Sequence, residues 1–135
     1  MAAAQRKVAA QALQLAALLF AGALGQLHAL PQDVQFFLIS GQLPVDPATG
    51  EMPKGSIREL TRQSLTNIKH ILEAAGSSMD NVVKTTVFLK DLSDFAAMNQ
   101  AYAEFFPADC PARSCVQAAA LPKDAAVEIE VIALA

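Results

Sequence analysis

At 135 residues the chain is long enough for one domain and too short for two ordinary ones. Its 53% hydrophobic and 17% charged residues exclude it from the disordered class, which needs low hydrophobicity and high net charge. The formal charge of −3 is unevenly spread: residues 1–32 hold Arg6 and Lys7 and no acid, leaving 8 Lys/Arg against 13 Asp/Glu beyond them, a net −5 that disfavours a phosphate backbone as main partner.

The first segment, Val8–Gly25, reads VAAQALQLAALLFAGALG behind Arg6 and Lys7, and the first acid is Asp33. Three readings stay open. It fits a secretory signal with a basic n-region, or an organelle transit segment, basic and acid-free though poor in Arg and Ser. It also fits a helix of the mature protein, built from Ala, Leu and Gln. Gln11 and Gln14 interrupt the apolar run, which falls short of the roughly 20 residues of a membrane span. The chain therefore divides at residue 32, with 1–32 a targeting segment or divergent extension and 33–135 the folded domain. The compartment, cytoplasmic, organellar or secreted, depends on that segment.

Val34–Ser40 (VQFFLIS) is a short apolar run ending in Gly41 and a turn-rich stretch, and predicts a strand followed by a long loop. Ser56 with Glu59 three residues later makes a capping box. Ile57, Leu60, Leu65, Ile68, Leu72 and Ala75 then recur at helical spacing until Gly76, which predicts a helix over 57–75. Val82–Lys90 (VVKTTVFLK) is β-branched and predicts a strand. A second helix is expected from near Ser93, with Leu92, Phe95, Met98, Tyr102 and Phe105 on one stripe and Pro107 and Pro111 ending it. Ala112–Ala119 and Ala126–Leu134 predict the last strands, joined at LPKD. In the final one Val127, Ile129 and Val131 alternate with Glu128 and Glu130, so one face is apolar and the other acidic.

The order strand, helix, strand, helix, strand, strand predicts an α+β two-layer sandwich, with two helices over one face of a mixed sheet. The opposite face needs its own cover. So apolar a small domain also holds more apolar side chains than one core easily hides, and both points suggest a homo-oligomer.

The catalytic inventory is short. There is no Gly-rich phosphate loop, no G-x-S-x-G elbow and no H-E-x-x-H. Cys110 and Cys115 form neither a disulfide framework nor a C-x-x-C motif, and with His28 and His70 they are too scattered to predict a metal site. His70 reads as an ordinary, partly exposed helix residue. Cys115 reads as a small buried hydrophobe, with nothing to mark a lowered thiol pKa. Glu128 and Glu130 read as a solvated edge of charge. Arg113, the only arginine after Arg62, reads as a surface ion pair or as a planar fork awaiting a carboxylate.

Read together, these residues gain meaning. SGQLPVDPATGEM (Ser40–Met52), RQSLTNIKHILEAAGSSMDNVVKTTVFLKDLSDFAAMNQAYAEFF (Arg62–Phe106), PARSCV (Pro111–Val116) and LPKDAAVEIEVIA (Leu121–Ala133) closely resemble the Rid family of reactive-intermediate deaminases, also called YjgF. The resemblance covers roughly residues 38–134. It implies a chorismate-mutase-like fold and a homotrimer whose sheets line a central barrel, with active sites in the clefts between subunits. The implied activity is hydrolysis of 2-enamine and 2-imine acids, such as those of 2-aminoacrylate and 2-aminocrotonate, to 2-keto acids and ammonia without a cofactor. An imine already hydrolyses in water, so positioning supplies much of what is needed. On this reading Arg113 grips the substrate carboxylate and Glu128 orients the attacking water. Backbone groups around Gly41 and Cys115 hold the imine end, Ser40 lines the pocket, and Asn99 matches a family position near the cleft.

One departure stands out. The family carries a segment like AIGPYSQA before its SGQ, with a tyrosine that reaches the site. Here the corresponding stretch is ALGQLHAL (Ala23–Leu30), where Gly25 aligns, Leu27 takes the place of the tyrosine and His28 that of the serine. Two other functions are kept in view: a non-catalytic ligand-binding or chaperone-like protein using the same cleft, which the missing tyrosine favours, and the RNA cleavage or translation inhibition attributed to some family members. The negative domain charge argues against the latter.

Overall fold

The β-branched and apolar runs pair into one sheet, and the two amphipathic stretches pack as helices on one side of it. The computed structural model describes residues 34–135. The expectations for 1–32, including Gly25, Leu27 and His28, lie outside the described residues. In chain order the elements are β1 (Phe36–Gln42), α1 (Ile57–Ala74), β2 (Val82–Leu89), α2 (Phe95–Phe105), β3 (Ala112–Gln117) and β4 (Val127–Leu134). The strand order is β1-β4-β2-β3. β4 runs antiparallel to both β1 and β2, while β2 and β3 are parallel. Each helix thus crosses between strands of the same direction, and β4 slots between β1 and β2 in the opposite sense. This is the α+β arrangement expected from the element order. No described helix is long and apolar enough to cross a membrane.

Local chemistry sets the ends of α1. The Ser56 hydroxyl accepts from the Glu59 N–H at 3.4 Å, and the Glu59 carboxylate accepts from the Ser56 N–H at 2.7 Å. At the other end Gly76 takes φ +84°, its N–H meets the Glu73 carbonyl, and the Ser77 N–H reaches the Leu72 carbonyl at 2.8 Å. That is a Schellman closure, which needs the left-handed conformation glycine adopts freely. The expected strands shift slightly: β1 starts at Phe36 rather than Val34 and runs on to Gln42, because its pairing with β4 begins at Phe36↔Leu134. β3 stops at Gln117 and β4 starts at Val127, with a tight turn at Pro122–Asp124 between them. Lys123 and Asp124 both sit at φ 55° there, and the Asp124 carboxylate accepts two bonds from Lys90 Nζ, at 2.7 and 2.8 Å.

Strand alternation divides the sheet into two faces. Val127, Ile129, Val131 and Ala133 of β4, with Val87 and Leu89 of β2, are buried under Leu65, Ile68 and Leu72 of α1 and Met98, Tyr102 and Phe106 of the α2 region. Each fully buried aliphatic side chain contributes about 1.5–3 kcal/mol. Leu92 and Phe95, expected in the core stripe, are instead 47% and 38% exposed. Leu92 lies in a short 3-10 turn, Leu92–Asp94, which rotates it off the α2 stripe. The opposite sheet face has no helix over it among the described residues, and Leu38 there is 74% exposed.

Arg62 of α1 holds α2 in place through a two-pronged pair with Glu104, Nε at 2.7 Å and Nη2 at 2.6 Å. The Arg62 bonds hold the Glu104 carboxyl below its ordinary range, and the Ser56 backbone bond does the same for Glu59. A depressed carboxyl contributes stability above its unfolded pKa and loses it as pH falls through the folded value. Glu104→Gln is therefore expected to melt at a lower temperature than the wild type at pH 7. The gap should close as the pH drops from about 5 to 3. Melting curves of the two proteins across that range check this, and a constant gap would contradict it.

Candidate active site

Residues of β3 alternate between faces, and pairing with β2 decides which goes where. Arg113 pairs with Thr85 and Cys115 with Val87, both buried partners, so Arg113 and Cys115 lie on the helix side. α2 passes over them. Phe95, Asn99 and Tyr102 recur at i, i+4 and i+7, which places them on one stripe of that helix. All three touch the same group. Arg113 Nη1 donates to Asn99 Oδ1 at 2.6 Å, and the guanidinium carbon lies 4.5 Å from the Tyr102 ring centroid and 5.5 Å from that of Phe95. Cation–π contacts of this kind contribute about 0.5–2 kcal/mol each, the upper end applying where water is excluded.

Tyr102 is itself tied down. Its hydroxyl and Thr85 Oγ1 are 2.8 Å apart in a buried hydrogen bond. Burial pushes the phenol pKa up, with the Thr85 bond and the Arg113 charge opposing, so the ring stays neutral. Arg113 forms no ion pair among the described residues, in contrast to the surface pair that was its plain alternative. The Asn99 bond occupies one of five guanidinium N–H donors.

Cys115 is half-buried, and burial raises its thiol pKa against the pull of Arg113. A protonated thiol is a poor nucleophile, which agrees with the structural reading of this side chain. Its main chain is placed differently. The Ala118 N–H bonds to the Leu89 carbonyl, and alternation from there turns the backbone groups of Ser114 and Val116 toward β2. Those of Arg113, Cys115 and Gln117 face away from β2, along the edge of the described sheet.

Glu128 lies elsewhere. It pairs with Phe88 on β2, one step out of phase with the buried residues, and so faces the open side of the sheet. β1 carries an irregularity directly beside it: Ile39 pairs with Val131 and Gln42 with Ile129, so Ser40 and Gly41 together oppose Glu130. The Glu128 carboxylate fills the space where a side chain on residue 41 would begin, and a Cβ there would overlap it. Only glycine at 41 leaves that carboxylate where it is. Ser40 is exposed next to it, and its carbonyl accepts a bond from Gln42 Nε2 at 3.0 Å.

The six residues singled out in the sequence thus form two groups. Arg113, Asn99 and Cys115 share the helix side, while Ser40, Gly41 and Glu128 share the open side, and β2 stands between β3 and β4. Phe95 and Tyr102 belong to the expected α2 stripe, and Tyr102 lies in the core while Phe95 is exposed at its rim. Their spacing with Asn99 was the signal that links them to Arg113. His70 is exposed on α1, beside an open, mostly apolar hollow of about 400 Å³ bounded by Leu43, Val45, Pro47 and Asn67, which includes none of the six.

This geometry can be set beside known proteins. A family model described as "Endoribonuclease L-PSP" matches residues 22–135. A RutC family protein of Pyrococcus horikoshii is 57% identical over 98 residues, covering 73% of this chain and 78% of the relative. A protein of Escherichia coli named 2-iminobutanoate/2-iminopropanoate deaminase is 54% identical over 100 residues, covering 72% and 77%. The crystal structure of the YjgF gene product from E. coli superposes with a TM-score of 0.71 at 47% identity, over 83% of this chain and 90% of that one. On the family match and these identities, the chain belongs to the endoribonuclease L-PSP family, the YjgF/RutC group that the sequence resemblance indicated.

Proposed function

We propose that the chain is a cofactor-independent hydrolase of 2-imino acids, of the 2-iminobutanoate/2-iminopropanoate deaminase type, acting at sites shared between the copies of a homotrimer. The observation that carries this reading is the Arg113 fork. It is oriented by Asn99 and two aromatic rings, has no carboxylate partner among the described residues, and suits two-pronged recognition of a small carboxylate. The name of the E. coli relative supports the substrate class. The negative charge beyond residue 32 speaks against RNA as the substrate.

In the proposed reaction Arg113 binds the carboxylate of the protonated imine, and the Cys115 and Gly41 main chains position the C=N end beside Ser40. A water oxygen bonds to C2 as Glu128 takes one of its protons, and the C=N electron pair moves onto nitrogen. Glu128 then returns the proton to that nitrogen. The C–N bond breaks with its electrons leaving on ammonia, and the hydroxyl proton passes to the ammonia as the ketone forms. Atoms and charge balance: iminium plus water gives 2-keto acid plus ammonium. Proton transfer of this kind supplies roughly 10²–10⁴-fold, and positioning adds to it by holding water and imine together.

The two-sided arrangement supports a shared site. Arg113 and Glu128 face opposite sides of one sheet, so a cleft holding both is naturally built from the Arg113 group of one copy and the Glu128 group of the next. A head-to-tail interface of that sort, repeated with a rotation of one third of a turn, closes into the proposed trimer. It would also cover open-face side chains such as Leu38 and Val116.

Three outcomes are expected. With imine generated by a dehydratase and trapped by semicarbazide, the protein should lower the trapped fraction. Arg113→Ala should lose roughly a hundredfold or more of that effect, and Arg113→Lys should recover only part of it. Wild-type behaviour of Arg113→Ala would overturn the role given to Arg113, and no effect of the wild type would leave the binding-protein reading instead. Arg113→Ala and Glu128→Gln subunits, each inactive alone, should regain about a quarter of wild-type activity when randomly mixed into trimers, because that share of shared sites is intact. A site within one chain predicts no recovery. Gly41→Ala should displace the Glu128 carboxylate and lower kcat roughly a hundredfold with little change in KM, read from steady-state rates.

A further inference from the structure

Resting on the carboxylate-binding reading of Arg113, we propose that Tyr102 is a positioning residue for this site: its ring, pinned to β2 through Thr85, sets the plane in which the Arg113 guanidinium lies. The fork is carried by a strand at the edge of the described sheet, on a long side chain with many rotamers. Left alone, it would sample many orientations, and each new one would have to be given up when a substrate docks. The 2.6 Å bond to Asn99 fixes one corner of the guanidinium in its own plane. One in-plane bond still allows the group to swing about that corner. A ring face 4.5 Å away removes the swing, since only a parallel or near-parallel guanidinium keeps contact across the whole face. Phe95, at 5.5 Å and partly exposed, borders the same group at the rim.

The ring can serve in this way because it cannot itself move. Tyr102 is 6% exposed, packs against Phe106 at 4.7 Å between centroids, and holds Thr85 Oγ1 at 2.8 Å in the interior. The phenol therefore points into the sheet and away from solvent, and it takes no part in proton transfer at the cleft. What it offers the site is its face. α2 thereby controls a side chain that β3 carries, and the two-pronged pair of Arg62 with Glu104 keeps α2 against α1.

The experiment separates ring from hydroxyl and site from fold. In the wild type, the Arg113 Nε–H proton should show a ring-current shift by nuclear magnetic resonance, assigned by its loss in Arg113→Ala. Tyr102→Phe keeps the face and should keep that shift, while melting lower because Thr85 Oγ1 loses its partner. Tyr102→Leu removes the face and should return the proton to the range of a free arginine. KM for the imine, and Kd for 2-oxobutanoate as a stable probe with the same carboxylate, should then rise roughly tenfold in Tyr102→Leu, with kcat within about twofold. Leu72→Ala, a core change away from the site, should lower the melting temperature and leave KM and Kd alone. An Arg113 signal that does not respond to Tyr102→Leu, or a Kd unchanged by it, overturns the positioning role. An Arg113 signal that responds as expected, with 2-oxobutanoate binding equally well to wild type and Arg113→Ala, overturns the carboxylate-binding reading instead.

Discussion

Side-chain alternation along a strand, with a period of two, is the constraint from which the site follows. Once Thr85 and Val87 are buried under the helices, their parallel partners Arg113 and Cys115 must lie on the same side. Once Ile129 and Val131 are buried, Glu128 and Glu130 must face the other way. A register slip of one residue would exchange the two sides and bury the acids, so the hydrophobic pattern of β4 enforces the placement of Glu128 as firmly as it enforces the core. The chemistry-bearing residues are therefore fixed by the same packing that makes the sheet.

The local devices around this frame each act on one of the two groups. On the helix side, a buried hydroxyl pair between Thr85 and Tyr102 supports a ring, and the ring with Asn99 supports a guanidinium. On the open side, the irregularity at Ser40 and Gly41 brings a residue without a side chain beside Glu128, and the carboxylate occupies the vacated space. Neither device needs a rare residue. The thiol of Cys115 is held protonated by burial, while its backbone lies along the sheet's edge. Such a site suits a reaction with a low intrinsic barrier, where orientation counts for more than an activated nucleophile.

Much of this was legible in the sequence. The capping box at Ser56 and Glu59 and the stop at Gly76 are local, and they fix α1 to within a residue. The alternation of Val127, Ile129 and Val131 with Glu128 and Glu130 announced β4 and its two faces. The motifs at Ser40–Met52, Pro111–Val116 and Leu121–Ala133 carry the family resemblance, and with it the candidate roles of Arg113 and Glu128. The stripe of α2 was less legible. Its period puts Tyr102 in the core, where it lies, but puts Phe95 there too, and it does not show that both rings meet Arg113, because an aromatic at helical spacing looks the same whether it meets a leucine or a guanidinium. Leu92 was misplaced for a related reason: the 3-10 turn preceding α2 shifts the phase of the helix, and no single residue there marks the change.

What the sequence by itself determined are the properties that depend on neighbours along the chain: element order, helix ends, which residues of a strand share a face, and the family. Tertiary structure decided what depends on pairing between distant segments. The insertion of β4 between β1 and β2, the matching of Arg113 with Thr85, the meeting of Arg113 with Asn99 and Tyr102, and the seating of Glu128 over Gly41 all join residues far apart in the chain. Their registers are chosen by how two apolar faces fit, a property of the assembled layers that no local stretch contains.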